Sequence, residues 1–192
     1  ASTDQSPNNT ATLNDQLVPT ITGVALAANN STIAVTFSEA VYNTNGGSGS
    51  LQASDFSLSI TGGTATVSSA TPTSISPSGN TYTLGIGLTG TPDGSELLAV
   101  VPVDDGIYDA AGNEASTTQS NNTATLNDQL LPTITSVSLA ADNSTIAVTF
   151  SEAVYNTNGG SGALETSDFS FSIGPSSGLG TVTLNSATPT SI

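Results

Sequence analysis

The chain has 192 residues and a formal net charge of -15, because it contains 15 acidic residues and no Lys, Arg or His. Without cationic side chains it lacks the electrostatic surface that nucleic-acid binding requires, and an anionic membrane surface would repel it. It has no Cys for disulfides and no apolar run long enough to insert into a membrane. We therefore expect neither nucleic acid nor membrane as a partner, and a saline or calcium-containing extracellular or cell-surface location.

One stretch of sixteen residues, AVTFSEAVYNTNGGSG, occurs twice, at 34–49 and at 147–162. The repeat extends over 9–60 and 122–173, with eight differences at a constant offset of 113 residues. This period is much longer than the roughly 20 to 50 residues of solenoid repeats, so each copy is expected to fold as its own domain. We interpret 1–17 as the C-terminal tail strand of a preceding repeat, 18–130 as a complete repeat and 131–192 as the N-terminal part of the next.

Within the complete copy, short segments alternate apolar and polar residues, which is typical of half-buried strands. In chain order the predicted strands are 21–26, 33–37, 56–60, 64–70, 82–88, 96–103 and 123–126. The segment 96–103 is almost continuously apolar, which predicts a central strand covered on both sides, with Pro102 near its end. Asn45-Gly46, Asp93-Gly94 and Asp105-Gly106 predict tight turns. About seven short strands without a helical period favour an antiparallel β-sandwich.

Two segments of this copy, VTFSEAVY at 35–42 and YDAAGNEAS at 108–116, resemble the bacterial immunoglobulin-like repeat domains of large surface and secreted proteins. The resemblance covers the whole chain, as one full unit and two fragments. It implies an all-β fold of tandem Ig-like antiparallel β-sandwiches joined by short Pro-containing linkers. It also implies a structural role as a stalk, spacer or filament unit, and calcium often stiffens the junctions of such proteins.

A catalytic role is not expected. Without His, Lys, Cys or Arg, only paired carboxylates remain as acid and base. The densest acidic segment is VDDGIYDAAGNE at 103–114, and its Asp-Gly and Gly-Asn pairs indicate turns before they indicate catalysis. A hydrolytic activity that is abolished by Asp104→Asn or Asp109→Asn would contradict this prediction.

The same segment is a candidate calcium site. Calcium binds six to eight oxygens from carboxylates, amides and backbone carbonyls. Asp104, Asp105, Asp109 and Asn113 offer such oxygens, and Glu39 from the other repeated motif would join them. The alternative is that these residues form Asx turns and a solvated edge, since no calcium loop of the D-x-D-x-D-G kind is present.

A second candidate ion site lies at the joint between copies, where LNDQLVP at 13–19 recurs as LNDQLLP at 126–132. Asp15 and Asp128 lie where a junction ion would bind. Pro19 and Pro132 open the following copy, and a proline in so short a tether limits bending. The alternative is a plain connector closed by an Asx cap.

The expected partners are neighbouring copies of the same repeat, in the same chain and in adjacent chains of a fibre. The alternative function is a carbohydrate- or cell-binding module of an adhesin, using the loops 43–53 and 156–166 or the insertion at 174–180. The near-identity of the two loops favours spacing and self-association, because a recognition loop would be expected to diverge. Glycosylation is permitted by sequons at Asn8, Asn29, Asn30, Asn121 and Asn143.

Overall fold

The computed structural model describes residues 11–174 and 183–192. The chain divides into two compact units, Ala1–Leu130 (unit 1) and Leu131–Ile192 (unit 2). In the described part of the chain all strands pair antiparallel, and the only helical elements are 3-10 turns at Ala53–Asp55 and Thr166–Asp168. The prediction of an all-β protein is confirmed.

Unit 1 is built from two main sheets. Its strands are β1 Ile21–Leu26, β2 Thr32–Phe37, β3 Phe56–Thr61, β4 Thr66–Val67, β5 Ile75–Ser78, β6 Thr81–Gly85, β7 Leu88–Thr89, β8 Leu97–Pro102 and β9 Thr123–Thr125. One sheet has the order β1-β2-β6-β5 and the other has the order β3-β8-β9, while β4 and β7 form a small ribbon. The predicted central position of β8 is confirmed, because β8 lies between β3 and β9.

The core of unit 1 lies where alternate side chains of both sheets meet. Ile33, Val35 and Phe37 of β2 are buried while the residues between them are half-buried, which is the period of two expected for a strand with one face inward. Strands β3 and β8 of the other sheet contribute to the same buried cluster. This shared core is consistent with a β-sandwich.

Strand β8 differs from the expectation in one respect. Leu98 and Val100 are fully buried, but Leu97 is 42% exposed, so the strand is covered on one face and not on both. An antiparallel sheet packs one face on the core and leaves the other toward water, even where both faces carry apolar residues. The sequence also did not predict β5, whose Pro77 argues against a strand. Pro77 is tolerated because β5 is the edge strand of its sheet.

Unit 2 repeats the first hairpin of unit 1. Its strands β10 Ile134–Leu139 and β11 Ile146–Phe150 pair in the register of β1 and β2, including the irregularity between Ile134 and Ser136 that matches the one between Ile21 and Gly23. The insertion at 174–180, a predicted binding segment, lies outside the described residues except for Gly174.

Candidate functional site

Three carboxylates from distant parts of unit 1 come together at the end where the chain enters β1. One carboxylate oxygen from each of Asp15, Glu39 and Asp109 lies within 4.8 Å of the other two. Asp15 precedes β1, Glu39 follows β2, and Asp109 lies between β8 and β9. The last two are brought together by an antiparallel bridge, in which the Tyr42 N–H donates to the Tyr108 carbonyl at 2.7 Å and the Tyr108 N–H donates to the Tyr42 carbonyl at 2.8 Å.

Asp109 is the buried member of this acidic group. Its carboxylate accepts the Asn113 N–H at 2.8 Å and the Asn113 side-chain amide at 2.8 Å. Burial raises the pKa of Asp109, but the hydrogen bonds from Asn113 and from the N–H groups of Gly112 and Ala111 outweigh it, so the pKa lies below its ordinary value. Asp109 is therefore held as an anion inside the protein.

Glu39 shows the opposite behaviour. Its pKa is raised by desolvation and by the negative charges of Asp109 and Asp15. None of the hydrogen bonds of the described residues reaches its carboxylate, so no protein donor among them compensates this charge. The group is thus an anionic centre in which Asp109 stays charged while a charge on Glu39 is unfavourable, and a bound cation, or a proton on Glu39, would relieve it.

The donor set fits calcium by its chemistry. Three carboxylates supply hard oxygen ligands, and calcium prefers oxygen ligands in an irregular arrangement. The backbone carbonyl of Asp15 lies beside the group, since it accepts the Asn113 side-chain amide at 3.3 Å. This hydrogen bond also means that the Asn113 amide nitrogen faces the acids, so Asn113 orients Asp109 and Asp15.

Of the two sites predicted from the sequence, the structure combines parts of each. Asp15 of the joint and Glu39 and Asp109 of the repeated motifs form one group, whereas Asp104 and Asp105 are exposed and are not part of it. Asp105 adopts φ 57° in its turn and donates its N–H to Glu114 at 2.7 Å. That arrangement is the turn chemistry considered as the alternative.

Asp15 and Asp128 also form the Asx turns considered for the joint. The Leu17 N–H donates to Asp15 at 2.9 Å, and the Leu130 N–H donates to Asp128 at 2.8 Å. Asp128 itself packs beside Gly94 at the end of unit 1. Of these two aspartates, Asp15 belongs to the group of three acids and Asp128 does not.

The repeated loop at 43–49 packs against the turn that carries Asp109. A side chain at Gly47, which has φ 77°, would place its Cβ 3.0 Å from the Cα of Ala110, and the Asn45 side chain lies directly on Gly112. Thr44 closes the loop by donating to the Ser48 carbonyl. The loop thus supports the acidic group, which gives a structural reason for its repetition that sequence reasoning did not identify.

A buried asparagine ties the end of unit 1 to its first hairpin. Asn30, 1% exposed, donates its amide to the Asn127 carbonyl at 2.7 Å and accepts the Asn127 N–H at 2.9 Å. Its φ of 57° places it in the left-handed region, where Asn is well tolerated. Because Asn30 is buried, its sequon is closed to a glycan, whereas Asn29, Asn121 and Asn143 are exposed and Asn8 lies outside the described residues.

We expect Asn30→Ala to lower the free energy of unfolding of unit 1 by about 2 kcal/mol. The substitution removes both hydrogen bonds and leaves the backbone carbonyl and N–H of Asn127 without these partners. The matched control is Asn143→Ala in unit 2, where Asn has the same φ of 57° but is exposed. Urea unfolding followed by circular dichroism measures both. Equal effects of the two variants would contradict the role assigned to the Asn30 side chain.

A fourth carboxylate of interest, Glu96, was not identified from the sequence. It is fully buried just before β8 and accepts the backbone N–H groups of Thr64, Ala65, Asp93 and Gly94 at 2.9 to 3.3 Å. Burial raises its pKa, but the backbone hydrogen bonds prevail and lower the pKa to about 2. Because every donor is a backbone group of this chain, Glu96 holds two loops together and offers no free oxygen to a ligand.

Comparison with protein-family models, with curated proteins and with solved structures finds no match. Residues 11–174 and 183–192 contain no helix with the length and apolar character that a membrane-spanning helix needs.

Proposed function

We propose that this chain is a structural repeat unit of an extracellular filament, stalk or surface adhesin, in which tandem Ig-like β-sandwiches act as spacers. The observation that carries the proposal is the second hairpin. Strands β10 and β11 reproduce the register and the irregularity of β1 and β2, with Gly23 and Ala25 replaced by Ser136 and Ser138, which is what an array of similar domains requires. Short segments with Pro19 or Pro132 join the domains and limit bending.

We further propose that calcium binds Asp15, Glu39 and Asp109 and thereby fixes the entry segment to the domain that follows it. Asp15 lies in that segment, while Glu39 and Asp109 belong to the body of unit 1. An ion that bridges them would immobilise the residues around Pro19. In unit 2, the equivalent of Glu39 is Glu152, whose Oε1 is buried without a hydrogen-bond partner in the described part of the chain.

Calcium is expected to raise the melting temperature of the chain. At a free concentration about one hundred times Kd, binding adds about 2.7 kcal/mol, which corresponds to a rise of roughly 10 °C for a domain of this size. We expect Glu39→Gln to lose most of this rise. In excess chelator the variant should melt at or above the unmodified chain, because it removes a carboxylate whose charge is unfavourable. Calorimetry with calcium and with chelator measures both effects.

The matched control is Asp104→Asn, which removes an exposed carboxylate outside the group. It should keep the full response to calcium. A calcium response that is absent, or that Asp104→Asn and Glu39→Gln reduce equally, would contradict the ion site.

Small-angle scattering of a protein with two complete repeats tests the spacer function itself. An extended particle is expected. A collapsed or freely bending particle would contradict the spacer function even if calcium binds.

A further inference from the structure

Strand β8 of unit 1 carries apolar side chains on the outer face of its sheet. Its inward residues are buried in the core, so by the alternation of a strand Leu97, Ala99 and Val101 lie on the outer face. Leu97 is 42% exposed, and Val103, directly after the strand, is 37% exposed. This outer face (the β8 face, centred on Leu97, Ala99 and Val101) is apolar at a place where an antiparallel sheet is ordinarily polar.

The two neighbouring strands of the same sheet place hydroxyl side chains beside this apolar strip. Strand β3 places Thr61 opposite Leu97, and β9 places Thr125 opposite the same leucine from the other side. In the next row, Ser59 of β3 lies opposite Ala99. The β8 face is therefore an apolar centre with a polar rim, which is the composition of a protein–protein interface.

The outer face of the other main sheet is different. There the register places Thr36 of β2 opposite Thr81 of β6. In the next row, Ala34 lies between Ala25 of β1 and Thr83 of β6. These rows hold only small side chains, so covering them would remove little apolar surface from water. Of the two sheet faces, the β8 face gains more from being covered.

The distribution of charge favours a second copy of this chain as the occupant of the β8 face. None of the strands β1 to β9 contains an acidic residue, so the described carboxylates of unit 1 lie in the segments that connect the strands. Any second copy also has a net charge of -15 and no cationic side chain, so two copies repel each other wherever their carboxylates meet. Contact through an uncharged sheet face avoids this repulsion, whereas a cationic partner would be attracted to the connecting segments instead.

We propose that the β8 face is a lateral interface through which two copies of the chain associate face to face, each covering the apolar strip of the other. Three strands of about six residues span about 300 Å², which is less than the roughly 800 Å² per partner of a standard stable interface. A single unit therefore pairs weakly, and units in series strengthen the association by avidity. This inference goes beyond the spacer function, because a spacer does not need lateral pairing and the pairing does not need an extended array.

The test follows the backbone amide resonances of the 192-residue chain by NMR, in excess chelator, as the protein concentration rises to about 2 mM, a range suited to weak association. We expect concentration-dependent shifts in β3, β8 and β9. Strands β1, β2 and β6 of the other sheet are the internal control and should not shift. Because charge repulsion opposes the association, the dissociation constant should fall by about threefold or more when salt is raised from about 0.1 to about 0.5 M.

Leu97→Asp should weaken the association by about tenfold or more, because pairing would bury an uncompensated charge. Thr61→Asp should act similarly, since it adds the same charge at an exposed position opposite Leu97 and removes no apolar side chain. The matched control is Ala25→Asp, which adds a charge at an exposed position of the other sheet and should leave the association unchanged. The proposal would be overturned if no shifts appear, if they appear in β1 and β2 instead, or if Ala25→Asp weakens the association as much as Leu97→Asp.

Discussion

Replacement of Phe37 by alanine is expected to lower the free energy of unfolding of unit 1 by about 3 to 5 kcal/mol. Phe37 is 2% exposed, and its ring contacts those of Phe56 and Tyr82, one from each main sheet. The substitution would remove the side chain that joins the two sheets and leave a cavity between them. Urea unfolding followed by near-ultraviolet circular dichroism measures the change, because three of the four tyrosines lie in unit 1.

The matched control for this variant is Phe150→Ala. Phe150 occupies the same place in unit 2 but contacts one aromatic ring instead of two. It should leave the free energy of unfolding of unit 1 unchanged within about 0.5 kcal/mol, because the aromatic contact of Phe150, with Phe169, lies within unit 2. If Phe37→Ala cost less than about 1 kcal/mol, the aromatic triad would not be the centre of the core.

Glu96→Gln is expected to destabilise unit 1 by about 2 to 4 kcal/mol at neutral pH. The carboxylate accepts N–H groups from Thr64, Ala65, Asp93 and Gly94, and a glutamine would bring an NH2 group against some of these donors. The matched control is Glu114→Gln, because among the described residues Glu114 accepts one backbone N–H, from Asp105. If Glu96→Gln lowered the free energy of unfolding no more than Glu114→Gln does, the assigned role of Glu96 in holding the two loops together would be contradicted.

The pH dependence of stability tests the same carboxylate. The pKa of Glu96 is lowered from 4.5 to about 2 in the folded protein, so its stabilisation is complete above pH 4.5 and is lost as the pH falls toward 2. The difference in unfolding free energy between the unmodified chain and Glu96→Gln should therefore narrow over this window. A difference that stays constant from about pH 6 to about pH 2 would exclude titration of Glu96 as its cause.

The sequence predicted those parts of the fold that depend on local pattern. The alternation in 33–37 and 56–60 located β2 and β3 to within one residue, because one face of each strand is buried. The half-exposed outer face of β8 could not be predicted, since a continuous apolar run does not say what covers each face. Strand β5 was missed because only its position at the edge of the sheet makes Pro77 acceptable.

The candidate ion site was likewise predicted only in part. The residue types and the proximity of Glu39 to Asp109 were predicted, but Asp15 was assigned to a separate site at the joint, because only the fold brings the segment before β1 to the other two residues. Asp104 and Asp105 were included on the basis of closeness in sequence, which in a turn does not bring side chains together. Glu96 gave no signal at all, because its partners are backbone N–H groups, and these have no signature in the sequence.

The position of the Glu96 side chain depends on the residue at position 63, and this dependence has a consequence for the evolution of the repeat. Gly63 has φ 58°, and a Cβ atom at this position would overlap the side chain of Glu96. Any larger residue at position 63 would displace the carboxylate from its four donors. Selection should therefore act on the two positions together: among homologous repeats, those that retain the glutamate should retain the glycine, and a lineage that loses one should soon lose the other.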